Sequence, residues 1–208
     1  MPINKVTKGA ISSAIEELLL TCSFTKVTVK DIADTCGISR NTFYYHFQDK
    51  YELMDWIFME DLAENVKNYD DPDKLADTFL AICRFMLKRR NLYYPFLQYN
   101  GQNSLQERLT EFYYELWLLK INMQYANSGL KLRDNELEVY ARMNAHALVG
   151  LICDWVNNGM RNDYTQYLDE VYSIIYLQGE LHSAMLECRL NMKEKSPQSN
   201  TLNGAEVS

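Results

Sequence analysis

The chain has 208 residues, is 47% apolar and carries a net charge of −7. That length allows one large domain or two small ones with ample core, and no apolar run reaches the roughly 18 residues that span a bilayer. The opening MPINKVTKGAISSAIEELLL is interrupted by Glu16 and Glu17 and shows no cleavage site, so no secretory leader is expected and a cytoplasmic protein, without membrane partner, is predicted.

The charge is uneven. Residues 1–50 carry six Lys/Arg against five Asp/Glu, a balance of +1, while the remainder stands at −8. A polyanion is repelled by most of such a molecule and tolerated by its first fifty residues, which is compatible with nucleic-acid binding at that end. The five cysteines, Cys22, Cys36, Cys83, Cys153 and Cys188, form no C-x-x-C pair and read as buried free thiols.

Apolar residues recur at helical spacing throughout, so an all-α fold is predicted. Val6, Ala10, Ala14 and Leu18, with Ile11, Ile15 and Leu19, define a first amphipathic helix over about 6–21. Thr28 caps a short second helix that ends near Thr35. Gly37 supplies a turn, and Ser39 caps a third helix to about Phe47. Asp49 with Glu52 resembles a capping box and opens a fourth helix to about Asn68. NYDDPDK then breaks the pattern. Further helices are expected near 73–88, 92–99, 104–125, 134–158 and 165–192, followed by a tail, SPQSNTLNGAEVS, too polar to pack. The expected division is a DNA-binding head at 1–50, a helical effector-binding and dimerisation body at 51–195 and a disordered tail at 196–208.

DTCGISRNTFYYHFQDK, residues 34–50, carries the chemistry. With Gly37 as the turn of a helix–turn–helix, Ile32 and Ala33 lie on the inner face of the first arm. Phe43 and Phe47 then point back into the core. On a wheel of 100° per residue, Asn41 and Tyr45 point most directly outward, flanked by Thr42 and Tyr44, with Arg40 at the helix start. Asn pairs with adenine, Arg with guanine, Thr touches a thymine methyl, and tyrosine hydroxyls reach phosphates. The helix starts at Thr28, Ser39 and Asp49 present free N–H groups that favour anions. Lys50 opposes the dipole of its own helix start, which makes sense beside a phosphate. The plainer alternative is a hydrophobic packing helix; it accounts for Phe43 and Phe47 but not for two tyrosines on the opposite face. His46 falls between the faces, where it packs, caps or meets a phosphate.

Residues 27–53, VTVKDIADTCGISRNTFYYHFQDKYEL, resemble the signature of the TetR-type transcriptional regulators at Thr28, Ile32, Ala33, Gly37, Ile38, Ser39, Thr42, Phe43, Tyr44, His46, Phe47, Asp49, Lys50 and Leu53. The resemblance implies a homodimer whose two heads read a near-palindromic operator in double-stranded DNA. It makes Thr28, Tyr44, His46 and Lys50 mainly phosphate contacts, and Arg40, Asn41, Thr42 and Tyr45 base-reading candidates. It also implies that the last two long helices pair with a second copy in a four-helix bundle, where Leu151, Trp155, Val171, Tyr172 and Ile175 are candidates. NLYYPFLQYNG and ALVGLICDWVNNGM more loosely resemble a subgroup of short regulators related to the dihydroxyacetone-kinase activator. A repressor tuned by an effector in the body is expected, with an activator or adaptor acting through a protein partner as the alternative. Tyr99, Tyr113, Trp117, Met143 and His146 are candidate effector-pocket residues. The chain has no G-x-S-x-G, no G-x-x-x-x-G-K-[ST] and no H-E-x-x-H, so neither enzyme activity, cofactor nor metal is expected.

Overall fold

Side-chain caps divide the first 65 residues into four helices in a computed structural model of the chain, which describes residues 3–128, 134–161 and 169–177 together with positions 184 and 188. Helix α1 (Ile3–Leu19) buries Ile11, Ala14, Ile15 and Leu19, one stripe of its surface. Helix α2 (Val29–Cys36) opens with a complete capping box. Thr28 Oγ1 accepts from the Asp31 N–H at 3.2 Å, and the Asp31 carboxylate accepts from the Thr28 N–H at 2.9 Å. It closes in a Schellman motif. The Ile38 N–H reaches Ala33 O at 3.0 Å, the Gly37 N–H reaches Asp34 O at 3.2 Å, and Gly37 takes φ +72°. A Cβ at Gly37 would meet nothing within 4 Å, so the left-handed backbone alone selects glycine.

Helix α3 (Arg40–His46) starts where Ser39 Oγ accepts from the Thr42 N–H at 3.0 Å. Helix α4 (Lys50–Asn65) starts where Asp49 Oδ1 accepts from the N–H groups of Tyr51 and Glu52, each at 2.8 Å. The capping box expected there forms one residue early, because the Glu52 carboxylate accepts from the Gln48 N–H. α4 also stops at Asn65 rather than near Asn68: Val66 turns extended and is buried.

A 3₁₀ turn at Pro72–Lys74 leads into α5 (Leu75–Lys88), α6 (Arg90–Gln98), α7 (Leu105–Ser128) and α8 (Asp134–Asn157). Residues 169–177 form a further helical segment, α9. A second Schellman motif ends α8: Met160 N–H to Trp155 O at 3.1 Å, Gly159 N–H to Val156 O at 2.8 Å, with Gly159 at φ +82°. No strand occurs among the described residues, and the fold is all-α as expected.

α1 packs on α2 and α6, α4 on α5 and α7, and α7 on α8. Buried apolar residues form one continuous cluster from Ile11 of α1 to Ile175 of α9. No described helix is long and apolar enough to cross a membrane. The thiols differ from expectation: Cys83 is buried, Cys36 and Cys153 are half-buried, and Cys22 and Cys188 are exposed. The 196–208 tail, and most of the helix expected over 165–192, lie outside the described residues.

Candidate nucleic-acid interface

α3 has an inner and an outer face. Phe43 and Phe47 are 0% and 2% exposed, closing on Ile32 and Ala33 of α2, which are fully buried. Because inner and outer positions alternate around one short helix, burying the two phenylalanines forces Arg40, Asn41, Tyr44 and Tyr45 outward. All four are exposed, Tyr45 at 81% and Tyr44 at 54%. The face therefore offers a guanidinium, a carboxamide and two phenols beside the capped N-terminus of α3.

The remaining head residues are engaged locally. The Thr28 hydroxyl bonds to the Asp31 carboxylate at 2.6 Å, and this bond, followed by that from the Thr28 N–H, holds the Asp31 carboxyl below the usual carboxylate range. The hydroxyls of Ser39 and Thr42 bond to each other at 2.9 Å. His46 is half-buried, edge-on to Tyr45 at a centroid distance of 5.0 Å, and its Nδ1 is buried without a hydrogen-bond partner among the described residues. Its position between the two faces matches the wheel.

Lys50 departs from expectation. Its ammonium donates to the carbonyls of Phe24, Thr25 and Val27 at 2.7, 3.2 and 2.8 Å, and it lies 4.8 Å from the centre of the Phe24 ring. An ammonium has three donors, and three carbonyls face it. In the DNA-free chain, the turn between α1 and α2, gathered around the cation, offsets its unfavourable place at a helix start. Burial holds its pKa below the ordinary lysine value, against the pull of Asp49.

The five candidate pocket residues do not converge. Tyr113 and Trp117, one turn apart on α7, are buried, and the Tyr113 hydroxyl and Trp117 Nε1 have no hydrogen-bond partner among the described residues. Met143 is 60% exposed on α8 and His146 is exposed beside it, because the inward stripe of α8 runs through Ala141, Ala145 and Leu148. Tyr99 lies at the seam between head and body. Its ring is 5.5 Å from Phe24 and 5.3 Å from Tyr51, whose hydroxyl pKa is pushed up to about 12, chiefly by the hydrogen bond between the two tyrosines. A cavity of about 250 Å³ between α7, α8 and α9 is lined by Trp117, Asn144, Leu148, Leu151, Val171 and Ile175 among others.

The candidate interface residues are buried or half-buried within their own chain. Trp155 is 0% exposed within its own chain, so its ring packs inside the body, and Val171 and Ile175 are also buried there. Leu151 and Tyr172 are half-buried. The outward apolar side chains are Val139 and Met143 of α8 and Ile174, Tyr176 and Leu177 of α9.

One group of residues escaped the sequence reading. Arg89, between α5 and α6, donates from one terminal nitrogen to both oxygens of Asp61 on α4, at 2.8 and 2.7 Å. Its other terminal nitrogen donates to Glu16 of α1 at 2.7 Å, and the Tyr93 hydroxyl of α6 donates to Asp61 at 2.5 Å. The available signal was Asp61 itself, an acid on the apolar stripe of Met54, Ile57, Phe58 and Leu62.

An all-helical fold with a capped, glycine-turned helix–turn–helix and an outward polar–aromatic face defines a DNA-binding transcription regulator. Residues 11–56 match the family described as bacterial regulatory proteins, tetR family, and residues 73–177 match the transcriptional regulator C-terminal region; the chain belongs to the TetR family. The HTH-type dhaKLM operon transcriptional activator DhaS of Lactococcus lactis subsp. lactis (strain IL1403) is 31% identical over 88 residues, 42% of this chain and 47% of that protein. The match thus spans about half the length of that relative. Among solved structures, the dihydroxyacetone kinase operon activator DhaS has a TM-score of 0.60 at 23% identity, covering 86% of this chain and 97% of that one. NalD of Pseudomonas aeruginosa, the secondary repressor of the MexAB-OprM multidrug efflux pump, has a TM-score of 0.55 at 23% identity, covering 81% and 96%. These two structural likenesses speak for the fold alone.

Proposed function

We propose that two copies of the chain grip a near-palindromic operator, with α3 of each in successive major grooves about 34 Å apart. Arg40, Asn41, Thr42 and Tyr45 read bases; Tyr44, Thr28, Ser39 and His46 face the backbone. The observation that carries this reading is the two-sided α3, buried at Phe43 and Phe47 and exposed at Arg40, Asn41, Tyr44 and Tyr45. The outward apolar residues of α8 and α9, among them Val139, Met143, Ile174, Tyr176 and Leu177, support pairing of two copies through those helices. An effector of the body tunes operator affinity by moving α4, which joins head to body, and so changing the separation of the two reading helices. Tyr113 and Trp117, with unpartnered buried polar atoms, are the body residues best suited to meet it.

Repression is the first expectation. The likeness to DhaS, an operon activator, is the specific observation favouring the second reading, activation through a protein partner. A reporter driven by the operator, with and without the protein, separates the two by sign.

The test of DNA reading is a gel-shift titration against DNA upstream of the gene and its neighbours. Asn41→Ala and Tyr45→Ala are each expected to weaken specific binding by about 1–3 kcal/mol while leaving non-specific binding nearly unchanged. Equal loss on all sequences, or none, removes base reading from α3.

A further inference from the structure

The seam between head and body is mostly apolar and aromatic. Phe24 of the turn between α1 and α2 packs on Phe96 of α6 at 5.1 Å and on Tyr99. Contacts of that kind hold surfaces together without fixing how far they slide. Set into the seam are two carboxylates, a guanidinium and a phenol from α1, α4 and α6 and the junction before it. Asp61 is 7% exposed, and the ring of Tyr93 is enclosed by Phe85 and Phe96 at 5.6 and 6.2 Å. Burying the Asp61 carboxylate costs about as much as its pairing returns, and Arg89 and Glu16 keep 28% and 35% of their side chains in water, so the cluster is a poor device for stability. Its directionality is another matter. A planar guanidinium that meets both Asp61 oxygens from one nitrogen and Glu16 from the other accepts one relative placement of α1, α4 and α6.

We infer that the Glu16–Asp61–Arg89–Tyr93 cluster is a positioning device that sets the head at one angle on the body, and so selects the half-site spacing the protein accepts. This rests on the operator-reading dimer proposed above. Arg89 touches no DNA in this scheme; it acts through α1 and α4, the helices on either side of the helix–turn–helix. Without the cluster the aromatic seam still holds head to body, but over a range of angles, and operators of neighbouring spacing bind alike.

The experiment compares wild type, Asp61→Asn, and a fourfold variant carrying Glu16→Gln, Asp61→Leu, Arg89→Met and Tyr93→Phe. The fourfold change leaves no buried charge without a partner, and Asp61→Asn removes one charge while keeping an acceptor for Tyr93. Spectroscopic labels are placed through unnatural amino acids at the exposed Thr35 and Glu115, in chains diluted with unlabelled protein so that only the distance within one chain is read. The fourfold variant is expected to melt at or above the wild-type temperature and to show a broader head-to-body distance distribution. A midpoint well below wild type makes the cluster a stability device and overturns the inference. So does an unchanged distribution in both variants.

The second arm uses duplexes enriched by wild-type protein from a random pool and rebuilt with spacers longer or shorter by one and two base pairs. Each added pair both lengthens and rotates the site, so wild type should favour one spacing, whereas the fourfold variant should bind all spacers within about threefold. Retained spacing preference in that variant overturns the inference. Should wild type enrich no paired half-sites, the operator-reading dimer fails, and the distance measurement still decides whether the cluster sets the angle.

Discussion

Head and body satisfy their polar groups in different ways. In the head, Thr28, Asp31, Ser39, Thr42 and Asp49 are joined in caps that span three or four residues. Among its buried side-chain polar atoms, His46 Nδ1 alone has no partner among the described residues. In the body, Thr78 Oγ1, Tyr113 OH, Trp117 Nε1 and Trp155 Nε1 are all buried and unpartnered there. An unpaired buried group costs about 1–3 kcal/mol, so the body accepts at four atoms a penalty that the head meets at one. The head is specified by local hydrogen bonds that orient a reading face. The body, apart from the Asp61–Arg89–Tyr93 bonds at the seam, is specified mainly by volume.

The largest effects should be the same on both sides of that divide. Phe43 of the head and Trp155 of the body are each 0% exposed. Phe43→Ala and Trp155→Ala are expected to lower stability by about 3–5 kcal/mol apiece, read from urea unfolding. Phe43→Ala should also abolish DNA binding. A Trp155→Ala cost below about 1 kcal/mol would mean that the body is not held by packing.

Next in size is Lys50, where the head's polar order reaches across the chain to residues 23–26 positions away. Lys50→Met removes three charge-assisted bonds and is expected to cost about 1.5–3 kcal/mol. It should weaken DNA binding through a loosened turn, with the slope of log affinity against log salt changed by well under one unit. A slope flatter by a full unit returns the ammonium to a phosphate and makes its carbonyl contacts a feature of the unbound head.

The same contrast explains what was legible in the sequence. Thr28, Gly37, Ser39 and Asp49 placed the starts and the turn of α2 to α4 because caps act within a few residues. The faces of α3 followed from two phenylalanines four apart. The end of α4 was misjudged by three residues because burial of Val66, a tertiary event, stops it. Asp61 was visible as an acid on an apolar stripe, but its partner Arg89 lies 28 residues on, and Arg89 reaches Glu16 across 73. No local pattern joins those. In α8 and α9 apolar residues occupy more than one face, so periodicity alone did not tell the inner Trp155 and Val171 from the outer Met143 and Ile174. The pocket candidates scattered for that reason too: aromatic residues mark burial without saying where space is left.

The smallest effects draw the sharpest line, since each removes one polar partner and almost no volume. Tyr113→Phe deletes a buried hydroxyl that has no partner, so it should be neutral or stabilising by up to about 1 kcal/mol. Asp31→Asn deletes a carboxylate that accepts from the Thr28 hydroxyl and N–H, so it should destabilise at neutral pH. The pH profile separates this from a general surface effect. The Asp31 carboxyl titrates below its ordinary value of 3.8 in the folded chain. Its contribution is therefore fully present above the unfolded value and is lost as pH falls through the lower folded one. Wild type and Asp31→Asn should accordingly differ at pH 7 and converge in strong acid, whereas Tyr113→Phe should track wild type across the acid range. A gap between wild type and Asp31→Asn that persists below the folded pKa would mean that the Asp31 side chain packs rather than caps. A clear loss on Tyr113→Phe would mean that its hydroxyl has found a partner in solution, and the body would then be as polar-satisfied as the head.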